Sequence, residues 1–352
     1  MKYIKSILAA AAMVFSVSFC SCTEESPITN PPVEKNEITI DRTAFAKGAD
    51  VSWLTQLEKE GEKFYDKDRN EMECMQLLRD HCGVNSIRLR VWVNPEAGWN
   101  SIEDVVIKAR RANELGMRIM IDFHFSDTWA DPANQITPAA WQDYDLPQLK
   151  EAVAAHVTEM LSKLKALDIE PEWVQIGNET RNGMLHPLGN YQNGSNYAEL
   201  VNSGYDATKA IFPDCSVIIH LDSGDNIGLY TRIFGNLATN GGKYDMIGMS
   251  LYPDADTWAA SVNTCVANIN TVATTYGKPV MICEIGLNYD KAEIAKEMIA
   301  TLKQKCETET NGQCKGIFYW EPEAPAGYND GYDKGCFADG SPTVALDAFK
   351  DN

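Results

Sequence analysis

Eight short apolar segments recur along the chain, and longer amphipathic segments separate most of them. Each is apolar almost throughout instead of alternating with polar residues, which is typical of parallel strands covered on both faces. The predicted strands are Lys47–Val51, Ser86–Val91, Arg118–His124, Trp173–Asn178, Ser216–Leu221, Met246–Ser250, Val280–Glu284 and Gly316–Trp320. Two intervening segments, Ser101–Leu115 and Leu146–Leu167, place apolar residues three and four positions apart and are predicted helices.

This alternation of strand and helix predicts an α/β protein whose strand–helix units close into a single-domain (β/α)8 TIM barrel. A doubly wound open sheet is the structural competitor, but such sheets more usually contain about five or six units. No glycine-rich loop of the GxGxxG or GxxxxGKS type follows the first predicted strand, which argues against a nucleotide-binding protein. The barrel is expected to occupy residues 43–352.

The chain before the barrel has the pattern of a leader followed by a tether. A basic start precedes an apolar run at Ile7–Phe19, as in a signal peptide. Cys22 follows a small residue just after this run and is the predicted lipidation site, with Cys20 as the alternative. Residues 1–22 are therefore predicted to be a lipoprotein signal peptide, and residues 23–42, rich in Pro, Glu, Thr and Asn, a flexible tether.

The residues directly after Cys22, Thr23-Glu24-Glu25, resemble the surface-export signal of Bacteroidetes lipoproteins. We therefore expect a protein anchored by lipid to the outer membrane and displayed on the cell surface, with secreted or periplasmic protein as the alternative. No other segment approaches the run of about 20 apolar residues that a membrane-spanning helix needs.

The acidic balance of the chain limits its partners. Asp and Glu outnumber Lys and Arg by 50 to 31, which gives the 352 residues a formal net charge of −19. Nucleic acid is not an expected partner, because its phosphates must be neutralised by Lys and Arg. A monomer whose surface meets a neutral polymer is compatible with this charge.

The ten cysteines give no sign of a zinc site, since no CxxC or Cys/His spacing occurs. Cys306 and Cys314 flank a polar turn and could form a disulfide. Cys74 and Cys82 share a predicted helix and its end, where the geometry disfavours a bridge. Cys283 lies inside a predicted strand and is expected to be a buried, small apolar residue.

Polar and aromatic side chains stand at the ends of the predicted strands. In a parallel barrel the C-terminal strand ends meet on one rim, which is where barrel enzymes carry their active sites. The residues are Asp50, Arg88, His124, Asn178, Glu179, Asp222, Glu284 and Trp320. Capping a strand end needs only Gly, Ser or Asp, so a set with two Glu, an Arg and a His indicates chemistry.

Glu179 and Glu284 form the kind of pair that glycoside hydrolysis requires. One carboxylic acid protonates the leaving oxygen, and the other carboxylate attacks or stabilises the anomeric carbon. Different surroundings must separate their pKa values. Arg88 and His124 can hold a neighbouring carboxylate ionised, which favours Glu284 as the nucleophile. Asn178 directly precedes Glu179 and can bind a sugar hydroxyl.

Several tryptophans offer flat faces on which sugar rings can pack. They are Trp92, Trp129, Trp141 and Trp320. Trp129 and Trp141 are favoured because their loop is rich in Asp and Pro. Asp122 and His124 share one strand face, so a metal-dependent barrel hydrolase is an alternative, but too few further His or Asp stand at strand ends and no metal is expected.

Six segments together resemble the endo-β-1,4-galactanases of glycoside hydrolase family 53, within the clan A barrels. They are GADVSWL (48–54), GVNSIRLRVWVNP (83–95), IDFHFSDTWADP (121–132), IGNETRNGMLHPLG (176–189), IHLDSG (219–224) and FYWEP (318–322). The segments are collinear from about Gly48 to Pro322, and DFHFSDTWADP is the most specific of them.

The resemblance implies retaining, endo-acting cleavage of β-1,4-galactan, a side chain of pectic type I arabinogalactan, without a cofactor. It implies Glu179 as the acid/base and Glu284 as the nucleophile, with carboxyl groups about 5–5.5 Å apart. It further implies that substrate is bound by Arg88, Trp92, His124, Asp127, Trp129, Asn178, Asp222, Tyr252 and Trp320.

The chain departs from the family pattern in two loops that hold calcium in some bacterial members. These loops, Ile285–Lys291 and Glu321–Pro342, are short here, and with Asp330 and Asp333 as the candidate ligands calcium is not expected. Two alternative functions stay open at this point. One is another clan A β-glycanase, such as a mannanase or cellulase, and the other is a surface glycan-binding lipoprotein with an inert barrel.

Overall fold

Eight parallel strands close into a barrel in the computed structural model, which describes residues 40–351. In chain order they are β1 Ala46–Asp50, β2 Ser86–Val91, β3 Arg118–Phe123, β4 Trp173–Ile176, β5 Ser216–Leu221, β6 Met246–Leu251, β7 Val280–Ile285 and β8 Cys314–Trp320. Each strand pairs in parallel with the next one in sequence, and β8 returns to pair with β1. The predicted (β/α)8 TIM barrel is confirmed, and the open sheet is excluded.

Helices on the outside of the barrel connect the strands. They are α1 Leu54–Glu60, α2 Cys74–Cys82, α3 Ile102–Glu114, α4 Leu146–Lys165, α5 Asn196–Ile211, α6 Ile227–Thr239, α7 Trp258–Tyr276 and α8 Ala292–Glu309. A 3-10 segment at Val344–Phe349 follows β8 and packs against α8 and α2. Two short hairpins, Phe64–Tyr65 with Glu71–Met72 and Phe337–Ala338 with Ser341–Pro342, decorate the loops.

The start of α4 shows why its sequence forms a helix at that place. The Asp145 side chain accepts a hydrogen bond from the Gln148 backbone N–H, and the Gln148 side chain accepts one from the Asp145 N–H. This reciprocal cap satisfies two amides that a helix end otherwise leaves unpaired. Apolar residues at helical spacing then bury one face, including Leu149, Val153 and Leu164.

Side chains fill the interior of the barrel. Met120, Trp173, Ile218, Met281 and Phe318 belong to the buried cluster there. Space is tight enough to require glycine at position 48, because a Cβ at that position would lie 2.1 Å from the Phe318 ring. The barrel interior below the C-terminal rim is therefore closely packed, and this packing fixes the positions of the strand ends.

Several expectations lie outside the described residues or differ from the structure. The signal peptide 1–22 with Cys22, and the tether up to residue 39, lie outside residues 40–351. Within that range all eight cysteines are buried and free, so the Cys306–Cys314 disulfide is not present. Over the same range, no helix combines the length and the apolar character needed to cross a bilayer.

Candidate active site

A cleft of about 390 Å³ opens at the C-terminal end of the barrel and contains both predicted carboxyl groups. Its walls combine aromatic rings with polar side chains. The lining residues are Trp53, His124, Trp129, Ala130, Asp131, Asn178, Glu179, Tyr252, Glu284, Trp320, Asn329, Tyr332, Asp333 and Lys334. Glu284 lies at the end of β7, and Glu179 follows β4, so the two strand-end glutamates meet as the barrel topology predicts.

Backbone conformations around this rim are unusual. Phe125, Glu179, Ser223 and Glu321 have positive φ values of 51°, 46°, 51° and 45°, and each lies within three residues of a strand end. Residues other than glycine rarely adopt this left-handed backbone conformation, and those that do cluster at functional sites. At Glu179 the turn redirects the chain after β4, so that the carboxyl group enters the cleft.

Arg88 is the electrostatic centre beneath the cleft. Its guanidinium donates to Asp50 Oδ2 at 2.7 Å and to Asp122 Oδ2 at 2.8 Å, and lies 3.0 Å from Glu284 Oε1. It also donates to the Asn178 side-chain oxygen at 2.9 Å. Burial lowers the pKa of Arg88, but the carboxylates of Asp122, Glu284 and Asp50 outweigh it and hold that pKa well above its ordinary value. Arg88 therefore stays charged.

Glu284 has two partners that favour its ionised form. One is Arg88, and the other is Tyr252, whose hydroxyl donates to Glu284 Oε2 at 2.8 Å. Burial raises the pKa of the Glu284 carboxyl, while the Arg88 charge and the Tyr252 hydrogen bond lower it. Hydrogen bonds to an ionised group are the strong ones, so this carboxyl is the better placed of the two to hold a negative charge.

Glu179 receives less support for a negative charge. Its Oε1 accepts a hydrogen bond from the Ser250 hydroxyl at 2.7 Å, and Ser250 Oγ lies 2.8 Å from His220 Nε2. Gln175 Nε2 lies 3.0 Å from His220 Nδ1, so the hydrogen bonds run from Gln175 through His220 and Ser250 to Glu179. Burial, and next the charge of Glu284, raise the pKa of Glu179. Of the two carboxyls, Glu179 is therefore the one that more readily holds a proton.

Asp122 and His124 extend the hydrogen-bond network around Arg88. His124 Nε2 lies 3.0 Å from Asp122 Oδ2, and its Nδ1 accepts from Trp92 Nε1 and from the Ala130 backbone N–H, each at 3.2 Å. Both ring nitrogens are thus engaged, and His124 fixes the loop that carries Ala130. Across residues 40–351 no group of three or more His, Cys, Asp or Glu residues is suited to hold a metal ion.

An aromatic wall forms one side of the cleft. Trp53 lies with its ring centroid 5.7 Å from that of Trp129 and 5.2 Å from that of Trp320. The Arg90 guanidinium lies behind this wall, 4.5 Å from the Trp129 ring and 5.1 Å from the Trp53 ring. Arg90 is itself paired with the buried Glu321. The rings are therefore held rigidly, as a platform for an apolar sugar face requires.

The family model described as "Glycosyl hydrolase family 53" matches residues 46–349, which is almost the entire barrel. The chain belongs to this family. A probable arabinogalactan endo-β-1,4-galactanase A of Aspergillus terreus is 36% identical over 300 residues, which cover 78% of this chain and 85% of that protein. An arabinogalactan endo-β-1,4-galactanase A of Emericella nidulans is 32% identical over 308 residues, covering 81% and 87%.

Solved structures also superpose on the barrel. A structure from a study of two fungal β-1,4-galactanases has a TM-score of 0.80 at 29% identity, covering 87% of this chain and 99% of that one. The Ignisphaera aggregans GH53 catalytic domain has a TM-score of 0.78 at 26% identity, covering 92% and 99%. Xylanase 10B from Thermotoga maritima, at 15% identity and a TM-score of 0.59, shares the fold.

Four of the residues predicted to bind substrate in the family 53 site do not line the cleft. Arg88 lies beneath it, and the Trp92 ring packs behind Trp129, 5.2 Å between centroids. Asp127 accepts the backbone N–H groups of Asn94 and Ala139 at 3.0 and 2.9 Å. Asp222 pairs with Arg181. These side chains hold the walls of the site, whereas His124, Trp129, Asn178, Tyr252 and Trp320 line the cleft itself.

Four further residues line the cleft, although little in the sequence indicated that they would. Trp53, Tyr332 and Lys334 line the cleft from loops, and Asn329 lines it from the short helical segment Tyr328–Gly331, so none of the four stands at a strand end. Asp333, one of the two candidate calcium ligands, lies 2.9 Å from Lys334 Nζ and accepts from the Asn288 amide at 3.0 Å. Trp141, favoured as a sugar platform, lies in a different cavity.

Proposed function

We propose that this family 53 chain hydrolyses β-1,4-galactosidic bonds within galactan chains, by a double displacement that retains the anomeric configuration. The main support is the different environment of the two carboxyls in one cleft. Glu284 contacts Arg88 and Tyr252, whereas Glu179 has the Ser250 hydroxyl. The names of the similar fungal enzymes support the substrate.

The proposed reaction has two steps. A Glu284 oxygen bonds to the anomeric carbon, the bond from that carbon to the glycosidic oxygen breaks, and Glu179 gives its proton to the departing oxygen. The glycosyl group is then attached to Glu284. Glu179, now ionised, takes a proton from water while the water oxygen attacks the anomeric carbon and releases Glu284. Arg88 is expected to neutralise the charge that returns to Glu284 in the second step.

The aromatic wall and Asn178 are proposed to hold the sugar. Trp129 and Trp320 present ring faces for the apolar side of a galactosyl residue. The Asn178 amide donates one N–H to the Ala130 carbonyl at 2.8 Å, which leaves its second N–H for a sugar hydroxyl.

Purified protein lacking residues 1–22 tests this function directly. Incubated with linear β-1,4-galactan, it is expected to release a ladder of oligosaccharides whose new reducing ends first appear as the β-anomer by NMR. Mannan and cellulose in parallel reactions are expected to stay intact. First appearance of the α-anomer would contradict the double displacement, and cleavage of mannan alone would contradict the substrate.

The two carboxyls can be assigned from pH profiles of kcat/KM. Activity requires Glu284 ionised and Glu179 protonated, so the acidic limb reports the first and the alkaline limb the second. Tyr252 lowers the pKa of Glu284, and Ser250 lowers that of Glu179. We expect Tyr252→Phe to move the acidic limb upward by about one pH unit, and Ser250→Ala to move the alkaline limb upward by about one unit.

Each of these variants is the control for the other, because each removes one hydroxyl from the same cleft. If Tyr252→Phe moved the alkaline limb and Ser250→Ala the acidic one, the roles of Glu179 and Glu284 would be reversed. If neither limb moved, the two carboxyls would not be the groups that set the profile.

We also propose that the protein is a surface lipoprotein attached through Cys22. The support is the leader sequence with its cysteine and the acidic residues that follow it. Expressed in a Bacteroidetes host, the full chain is expected to incorporate labelled palmitate. The Cys22→Ser variant is expected to lose the label. Protease added to intact cells separates surface display from a periplasmic location. Label retained by Cys22→Ser would point to Cys20.

A further inference from the structure

A second cavity, of about 640 Å³, lies on the outside of the barrel between α3 and α4. It is larger than the active-site cleft and has Trp141 and Tyr144 in its wall. We propose that this cavity is a second binding site, which holds a galactan chain outside the cleft. The ligand class rests on the proposed substrate, but the site itself is separate from the catalytic carboxyls.

The cavity combines the two kinds of group that bind neutral sugars. Tyr144 is 36% exposed and Trp141 8% exposed, so an open ring stands beside a nearly buried one. Asn94, Gln148 and Glu151 are exposed at the cavity and offer amide and carboxylate groups. Aromatic faces for the apolar side of a ring, with a few polar groups for its hydroxyls, are typical of carbohydrate recognition.

The inner wall of the cavity carries no positive charge. His156 packs against Trp141 with ring centroids 6.1 Å apart and is buried, with no hydrogen-bond partner on its Nε2 among the described residues. Burial lowers the pKa of His156 to about 4, so the ring is neutral.

The charges at the rim of the cavity further limit the class of ligand that can bind there. Glu103 and Glu159 lie 2.6 and 3.1 Å from Lys163, whereas Glu151 has no ion pair among the described residues. A rim with surplus negative charge repels nucleic acids and uronic-acid polymers. The described residues also include no group of three ligands suited to a metal ion. A neutral, polyhydroxylated chain is therefore the ligand that fits.

One loop connects this cavity with the cleft. The segment between β3 and α4 carries Trp129, which lines the cleft, and Trp141 and Tyr144, which line the cavity. Asp127, two residues before Trp129, fixes the loop by accepting hydrogen bonds from the backbone N–H groups of Asn94 and Ala139. A long galactan held at the cavity would raise the local concentration of chain at the cleft, an effect that short oligosaccharides cannot show.

The test uses the double variant Tyr144→Ala/Glu151→Ala, since both side chains are exposed and make no hydrogen bond or ion pair among the described residues. Its control is Leu167→Ala/Glu297→Ala, which removes one exposed apolar side chain and one exposed glutamate, neither of which lines the cavity. Binding is measured in the Glu284→Gln background by retardation in gels that contain galactan, mannan or cellulose derivatives. Turnover is measured with active protein on polymer and on a short galacto-oligosaccharide.

We expect the cavity variant to bind polymeric galactan roughly tenfold more weakly than the control, and its KM for the polymer to rise by a similar factor. On the short oligosaccharide the two proteins should differ by less than about twofold. Equal retardation of both proteins in every gel would overturn the proposal, as would an equal loss on polymer and oligosaccharide. If the wild type cleaved no galactan but the cavity variant alone lost retardation by another polysaccharide, the second site would stand and the proposed substrate would fail.

Discussion

Replacing Glu284 with Gln is expected to lower kcat/KM on β-1,4-galactan by about four orders of magnitude or more. The amide keeps the shape of the side chain but cannot form the glycosyl bond on which both steps depend. Asp50 and Asp122 still neutralise Arg88 in this variant, so the barrel should keep its fold. The measurement is reducing-end release over several hours, with thermal unfolding followed by circular dichroism.

The control is Glu297→Gln, an exposed glutamate on α8, which should retain wild-type activity. Azide offers an independent check, because a small anion can occupy the space left by Glu284→Ala and attack the anomeric carbon. That variant should yield a galactosyl azide of inverted configuration. Activity of Glu284→Gln within tenfold of the wild type would remove Glu284 from the mechanism.

Replacing Arg88 with Met is expected to lower the free energy of unfolding by about 3–5 kcal/mol at neutral pH. The side chain is 1% exposed and neutralises three buried carboxyls, those of Asp50, Asp122 and Glu284. Without it these groups would be buried charges with no cation among them, which is among the most destabilising changes a protein interior can undergo. Urea unfolding at several pH values measures the loss.

The pH dependence of that loss distinguishes charge from packing. Burial already raises the pKa of Glu284, and removing Arg88 takes away the largest cause that opposes it, so this pKa should rise further above that of the unfolded chain. The folded variant then binds more protons than the unfolded one, so its stability falls as the pH rises from about 4. The deficit relative to the wild type should therefore be smallest in acid and grow towards neutral pH.

Arg110→Met is the matched control for the Arg88 experiment. Arg110 lies on the exposed face of α3, 3.8 Å from Glu114, and such surface pairs contribute at most about 1 kcal/mol. A loss at Arg88 that equalled the loss at Arg110, or that did not change with pH, would contradict the role of Arg88 as the centre of a charged network.

Much of the barrel was predictable because its strands are short, apolar and evenly spaced. The observed β2 and β5 have the predicted bounds, Ser86–Val91 and Ser216–Leu221. The fourth strand was predicted to reach Asn178 but ends at Ile176. Positive φ at Gly177 and Glu179 turns the chain away from the sheet there, and the pattern of apolar residues does not predict that turn.

The site was predictable as a set of strand ends, but the roles of individual side chains were not. Asp222 and Asp127 were expected to bind substrate, whereas the structure engages them with Arg181 and with backbone amides. Trp53 was not expected, because it stands in a loop before α1 and reaches the cleft by packing against Trp129 and Trp320. Which hydrogen-bond partner a polar side chain chooses depends on three-dimensional contacts that spacing along the chain does not encode.

The contacts of Arg88 also determine when during folding the chain can become an enzyme. Its partners come from β1, β3, the segment after β4, and β7, so they are drawn from nearly the full length of the barrel. A nascent chain that lacks β7 lacks Glu284, which is both the proposed nucleophile and one of the three carboxyls around Arg88. Fragments and intermediates whose ring has not closed are therefore expected to be inactive, because the cluster around Arg88 is complete only after β7 has joined the barrel.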